Sequence, residues 1–68
     1  MTNWIERVRS EKRELDVKIN ALTQFMHTAP ENDDISTHML YLMSEQLITM
    51  KRYSFLLGER LKEGVKNE

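Results

Sequence analysis

Apolar residues recur along this chain at alternating steps of three and four, twice over. The first run is Ile5, Val8, Leu15, Ile19, Leu22 and Met26, with Lys12 in its one gap. The second is Leu40, Met43, Leu47, Met50, Leu57 and Leu61, with Ser54 in the gap. Such spacing is a seam in heptad register, the signature of a helix that buries one stripe against a partner helix. Strands are disfavoured, because the turn residues they need are nearly missing: one proline and two glycines. Asn3 followed by Glu6 reads as a capping box opening the first helix. Ala29, ahead of Pro30, is expected to leave helical geometry and stop it. Asp33, Asp34 or Ser36 can cap the second helix. The spacing therefore predicts one all-α domain over 1–68: a helix over about 3–27, a polar loop over 28–34, a helix over about 35–63 and a short tail over 64–68. A short loop between two seamed helices makes them antiparallel neighbours, so the fold is a two-helix hairpin with a coiled-coil-like seam.

Folding the chain at the loop sets Met26 against Leu40, Ile19 against Leu47 and Ile5 against Leu61. Lys12 then falls opposite Ser54, so the two polar exceptions share one layer. A buried polar layer can pin alignment, with the lysine stem lying on apolar surface and its amine reaching out. The sharper alternative makes Lys12 a cationic ligand contact. On one flank of the seam Trp4, Glu11, Lys18 and Phe25 face Arg60, Tyr53, Gln46 and Met39. These pairs are a cation–π contact, two hydrogen-bonding pairs and a sulfur–aromatic contact. On the other flank Arg9, Asp16 and Thr23 face Gly58, Lys51 and Ser44, with Asp16 and Lys51 as an ion pair and Gly58 leaving room for close approach.

Trp4, Glu11, Lys18, Gln46, Tyr53 and Arg60 carry two readings. They are interhelical clasps, or they are the wall of a pocket in which a ring stacks a base and cations meet phosphate. With Lys12, they are the candidate ligand-binding residues. A second apolar stripe on the second helix, formed by Tyr41, Leu42, Ile48, Phe55 and Leu56, has nothing in a lone hairpin to cover it. An exposed stripe of that size marks an interface. A 68-residue core rarely supplies more than about 3–5 kcal/mol, and with no cysteine there is no disulfide to staple it. Assembly of copies into a homo-oligomeric helical bundle through that stripe is the expected remedy.

Other functions find little support. A net charge of −1 lacks the basic surplus of a nucleic-acid binder. No apolar run is long enough for a membrane span, and the first residues lack a signal-peptide core, so a cytoplasmic protein is expected. There is no phosphate loop, nucleophile motif or paired carboxylate of an enzyme, and no cofactor is expected. His27 and His38 flank Glu31, Asp33 and Asp34 without metal-motif spacing, so ordinary helix-end histidines are expected. Arg7, Arg9, Lys12 and Arg13 interleave with Glu6, Glu11, Glu14 and Asp16 as a solvated mixed-charge face.

The pattern Trp4-Ile5-Glu6-Arg7-Val8, Glu11-Lys12, Leu15, Lys18-Ile19, Leu22 and Phe25, followed after the loop by Gln46, Met50, Tyr53, Leu57-Gly58 and Arg60-Leu61, resembles a widespread group of small helical proteins of phages and prophages, including crAss-like phages. The resemblance implies a phage accessory protein acting in the host cytoplasm. Its nearest architectural analogues are the hairpin sponges that counter CBASS and Thoeris by sequestering cyclic-nucleotide immune signals, an analogy at the level of fold. The leading expectation is a non-enzymatic homo-oligomer that sequesters a small anionic nucleotide-type signal. One alternative is an inhibitor that engages a host or defence protein through the second stripe. Another is a structural or regulatory helical adaptor with no small ligand.

Overall fold

The computed structural model describes residues 3–29 and 34–66. Two helices pack side by side: α1, Trp4–Thr28, and α2, Thr37–Lys66. At the start of α1 the Asn3 side chain accepts from the backbone N–H groups of Ile5 at 3.1 Å and Glu6 at 3.3 Å. That offsets two of the donors a helix start leaves orphaned. The Glu6 half of the expected capping box is used differently, because its carboxylate accepts from Arg9 at 3.0 Å. Ser36 caps α2, its hydroxyl accepting from the Met39 N–H at 3.0 Å and its carbonyl from Leu40 N–H at 3.0 Å. Of the other candidate caps, Asp33 lies outside the described residues.

α1 ends at Thr28, close to expectation, but the geometry of its cap differs, and α2 ends later than expected. Ala29 keeps helical angles, φ −57° and ψ −39°, and its N–H donates to the Phe25 carbonyl. A residue before proline is biased away from helical geometry rather than barred from it. The Ala29 backbone bond is made and its side chain is buried. At the other end α2 runs through Gly64 to Lys66, where a tail was expected. Gly64 does not end the helix; it is buried under the Trp4 indole. A Cβ there would lie 2.7 Å from Trp4 Cζ2, closer than real contacts allow.

The register is the expected one. Lys12 Nζ donates to Ser54 Oγ at 3.0 Å, across 42 residues of sequence, and Arg60 lies over the Trp4 ring 5.9 Å from its centroid. The tightly packed part of the seam is its terminal half, with Ile5 and Val8 buried, Ser54 7% exposed and Leu57 0% exposed. From Leu15 to Met26 on α1, and from Leu40 to Met50 on α2, the seam residues are only half-buried. The molecule is a rod of 51 × 16 × 14 Å with a radius of gyration of 15.6 Å. A compact chain of this length would have a radius of about 11 Å.

Candidate functional site

The first flank of the seam brings together four of its expected residues. Trp4 is 42% exposed beneath the Arg60 guanidinium, near the outer reach of a cation–π contact. Two helical turns along, the Tyr53 hydroxyl donates to the Glu11 carboxylate. That bond holds the phenol proton and, with the negative charge of Glu11, raises the Tyr53 pKa above its ordinary 10.0, while Arg60 pulls the other way. The third expected pair does not form. The Gln46 amide donates along its own helix to Met50 Sδ at 3.8 Å, and Lys18 stays exposed. An amide four residues from a thioether is already its neighbour on the helix surface, whereas a cross-helix bond to Lys18 would order two long side chains. Phe25 and Met39, at the loop end, remain exposed.

Lys12 belongs to a cluster that faces the other flank. Its stem crosses Gly58, where a Cβ would meet Lys12 Cε at 3.3 Å. Its ammonium donates to Asp16 Oδ2 at 2.9 Å and to Ser54 Oγ at 3.0 Å, and Ser54 Oγ donates to Asp16 Oδ1 at 2.5 Å. The lysine is thus tied down rather than reaching out, and Asp16 pairs within this triad, not with Lys51 as expected. The cause is local: a half-buried ammonium between the helices needs a counter-charge, and Asp16 sits one turn away on the same helix face. Bonds from Ser54 and then Lys12 hold the Asp16 carboxyl below its usual 3.8.

The second flank also carries a cleft and an adjoining surface that sequence spacing did not suggest. A cleft of about 320 Å³ is lined by Arg9, Lys12, Arg13, Asp16 and Leu61. A wide, shallow surface of α2 formed by Leu61, Lys62, Val65 and Lys66 adjoins it at Leu61. Arg9 and Arg13 were assigned to a mixed-charge surface, and heptad positions alone do not show that α2 continues far enough to bring Val65 and Lys66 alongside.

The stripe residues of α2 are exposed, Ile48 by 61% and Phe55 by 53%, as are Tyr41, Leu42 and Leu56. Arg52 lies 5.4 Å over the Phe55 ring, and His38 stacks on Tyr41 with centroids 6.3 Å apart. Among the described residues no helix is long and apolar enough to cross a membrane, and no cluster of metal-ligating side chains forms. Glu31 and Asp33 lie outside the described residues.

No curated protein and no solved structure matches the chain. A family model described as Sequestin matches residues 2–63, nearly the whole length, covering α1, α2 up to residue 63 and every residue of the first-flank clasps. The chain belongs to the Sequestin family, whose name points to a sequestering rather than a catalytic role.

Proposed function

We propose that this protein sequesters a small anionic nucleotide-type signal as a homo-oligomer, in a phage counter-defence role and without chemistry on the ligand. The observation that carries the reading is the first flank. Trp4 offers an exposed ring beside the Arg60 cation, and seven helical residues along, about 10 Å, Tyr53 offers a second ring beside Glu11. Rings stack bases, a guanidinium pairs with phosphate, and a carboxylate accepts from exocyclic amines. Membership of a family named for sequestration supports the same class of function. The test is native mass spectrometry of the purified protein, which reports copy number and any retained nucleotide together, followed by thermal shift with cyclic nucleotides. Arg60→Ala should abolish the shift and leave the ligand-free melting temperature within a few degrees, since an exposed charge contributes roughly 0–1 kcal/mol. If Arg60→Ala unfolds the protein, or if no nucleotide is retained and none raises the melting temperature, the flank is a clasp and the reading fails.

A second reading has its own observation. The exposed stripe of Ile48, Phe55 and Leu56 suits a protein partner as well as a second copy. Capture of a host or defence protein that is lost on Ile48→Asp would favour it.

A further inference from the structure

The groove on the second flank gathers five of the chain's ten lysines and arginines, although the whole chain carries a net charge of −1. Arg9, Lys12 and Arg13 stand along one wall, and Lys62 and Lys66 along the other end. Between them Leu61, which belongs to both the cleft and the adjoining surface, and Val65 make an apolar floor. Among the described residues three carboxylates pair with these cations. Glu6 holds Arg9 at 3.0 Å and Glu59 holds Lys62 at 3.1 Å, both in exposed pairs that an incoming phosphate displaces at little cost. Asp16 is the one carboxylate lining the cleft, and it is committed to Lys12 and Ser54. Arg13 and Lys66 make no ion pair with any described residue.

We infer that this groove is a second, separate anion-binding site, which takes a small molecule bearing a diphosphate or two closely spaced anionic groups on a short apolar body. Arg9 and Arg13 lie four residues apart on one helix, so their forks stand one turn apart and can each take a phosphate in the paired geometry guanidinium favours. Lys62 and Lys66 repeat that spacing on α2 as point charges. The triad has a part in this. Lys12 and Asp16 largely offset one another there, and with both held in the triad, Arg9, Arg13, Lys62 and Lys66 are the cations left to meet the anion. The groove does not depend on the nucleotide reading of the first flank, because the two lie on opposite sides of the seam and share neither Arg60 nor Trp4.

The probe is inorganic pyrophosphate, titrated into the full chain while the arginine Nε–Hε resonances are followed by NMR. Saturable shifts are expected for Arg9 and Arg13, and they should persist in Arg60→Ala. Arg13→Glu with Lys66→Glu should weaken pyrophosphate binding at least tenfold at an unchanged melting temperature, because both side chains are exposed. Should that pair disturb the fold, Arg13→Gln alone should still weaken binding severalfold. Arg60→Ala should leave pyrophosphate binding intact while removing the nucleotide response, so the two sites fail or stand separately. Non-saturable shifts spread over all the arginines, or equal binding by wild type and the Arg13 variants, would overturn the inference.

Discussion

Asp16 is a carboxylate with two donors, and its protonation is therefore tied to the stability of the hairpin. Hydrogen bonds from Ser54 and Lys12 depress its pKa in the fold below the 3.8 of a free aspartate. A group whose folded pKa is depressed contributes stability that is fully present above the unfolded value and is lost as pH falls through the folded one. Urea melts should show wild-type stability falling below about pH 4 more steeply than that of Asp16→Asn, which has no proton to gain there. Ser54→Ala removes the first of the two donors and should cost about 1 kcal/mol, with the Asp16 titration moving back towards its ordinary range. Parallel acid profiles for wild type and Asp16→Asn would remove the triad from the account of stability. The sequence disclosed half of this cluster. Lys12 and Ser54 both fill gaps in otherwise apolar seams, and two gaps at one level are a signal that spacing carries. The partner of Asp16 was not legible in the same way. Lys12 at four residues and Lys51 across the seam both satisfy simple charge matching, and only the depth of the ammonium between the helices decides between them.

Gly64 lies inside α2, where it seats a ring rather than breaking the helix. Replacing glycine by alanine inside a helix ordinarily stabilises by about 0.5–1 kcal/mol. At Gly58 part of that gain should be realised, because the added methyl meets only Lys12 Cε at 3.3 Å, although Asp16 and Ser54 hold the ammonium one bond further on. At Gly64 it should not. The methyl would take the space of the indole, so Trp4 must leave its seat and lose its contact with Arg60. Gly64→Ala should shift tryptophan emission to longer wavelength with no gain in melting temperature, while Gly58→Ala leaves emission unchanged and raises the melting temperature. Identical emission in Gly64→Ala and wild type would show that the indole is not seated there. In sequence a glycine near the end of an apolar periodicity has two meanings, a stop and a seat for a large ring. The heptad pattern had also run out by Leu61, which is why α2 was expected to end early. α1 ends at Thr28 as expected, but the expected non-helical angles of Ala29 failed: the rule for residues before proline is a bias, and a buried alanine with its backbone bond intact can resist it.

As a whole molecule the hairpin exposes 5407 Å². A compact protein of this mass would expose about 4,500 Å², and the difference is close to the area of roughly 800 Å² that one partner contributes to a standard interface. Ile48, Phe55 and Leu56 lie on the exposed stripe, and burying each is worth about 1.5–3 kcal/mol. That is comparable with the stability of a lone core this small, so folding and assembly should be coupled. The melting temperature should rise with protein concentration, and Ile48→Asp with Phe55→Asp should give a largely unfolded monomer. A wild-type protein that sediments as a folded monomer at micromolar concentration would end this account. The placement of the tight packing also governs how quickly the hairpin can form. Trp4 meets Arg60 and Gly64, and Lys12 meets Ser54 across 42 residues, so the contacts that hold best join positions far apart in the chain. A hairpin cemented near its loop could zip up step by step from short closures. In this one the half-buried contacts near the loop come first and return little, and the long closure must be made before the rewarding contacts form. Refolding should therefore be slow for a helical protein of this size, with the terminal half of the seam closing last.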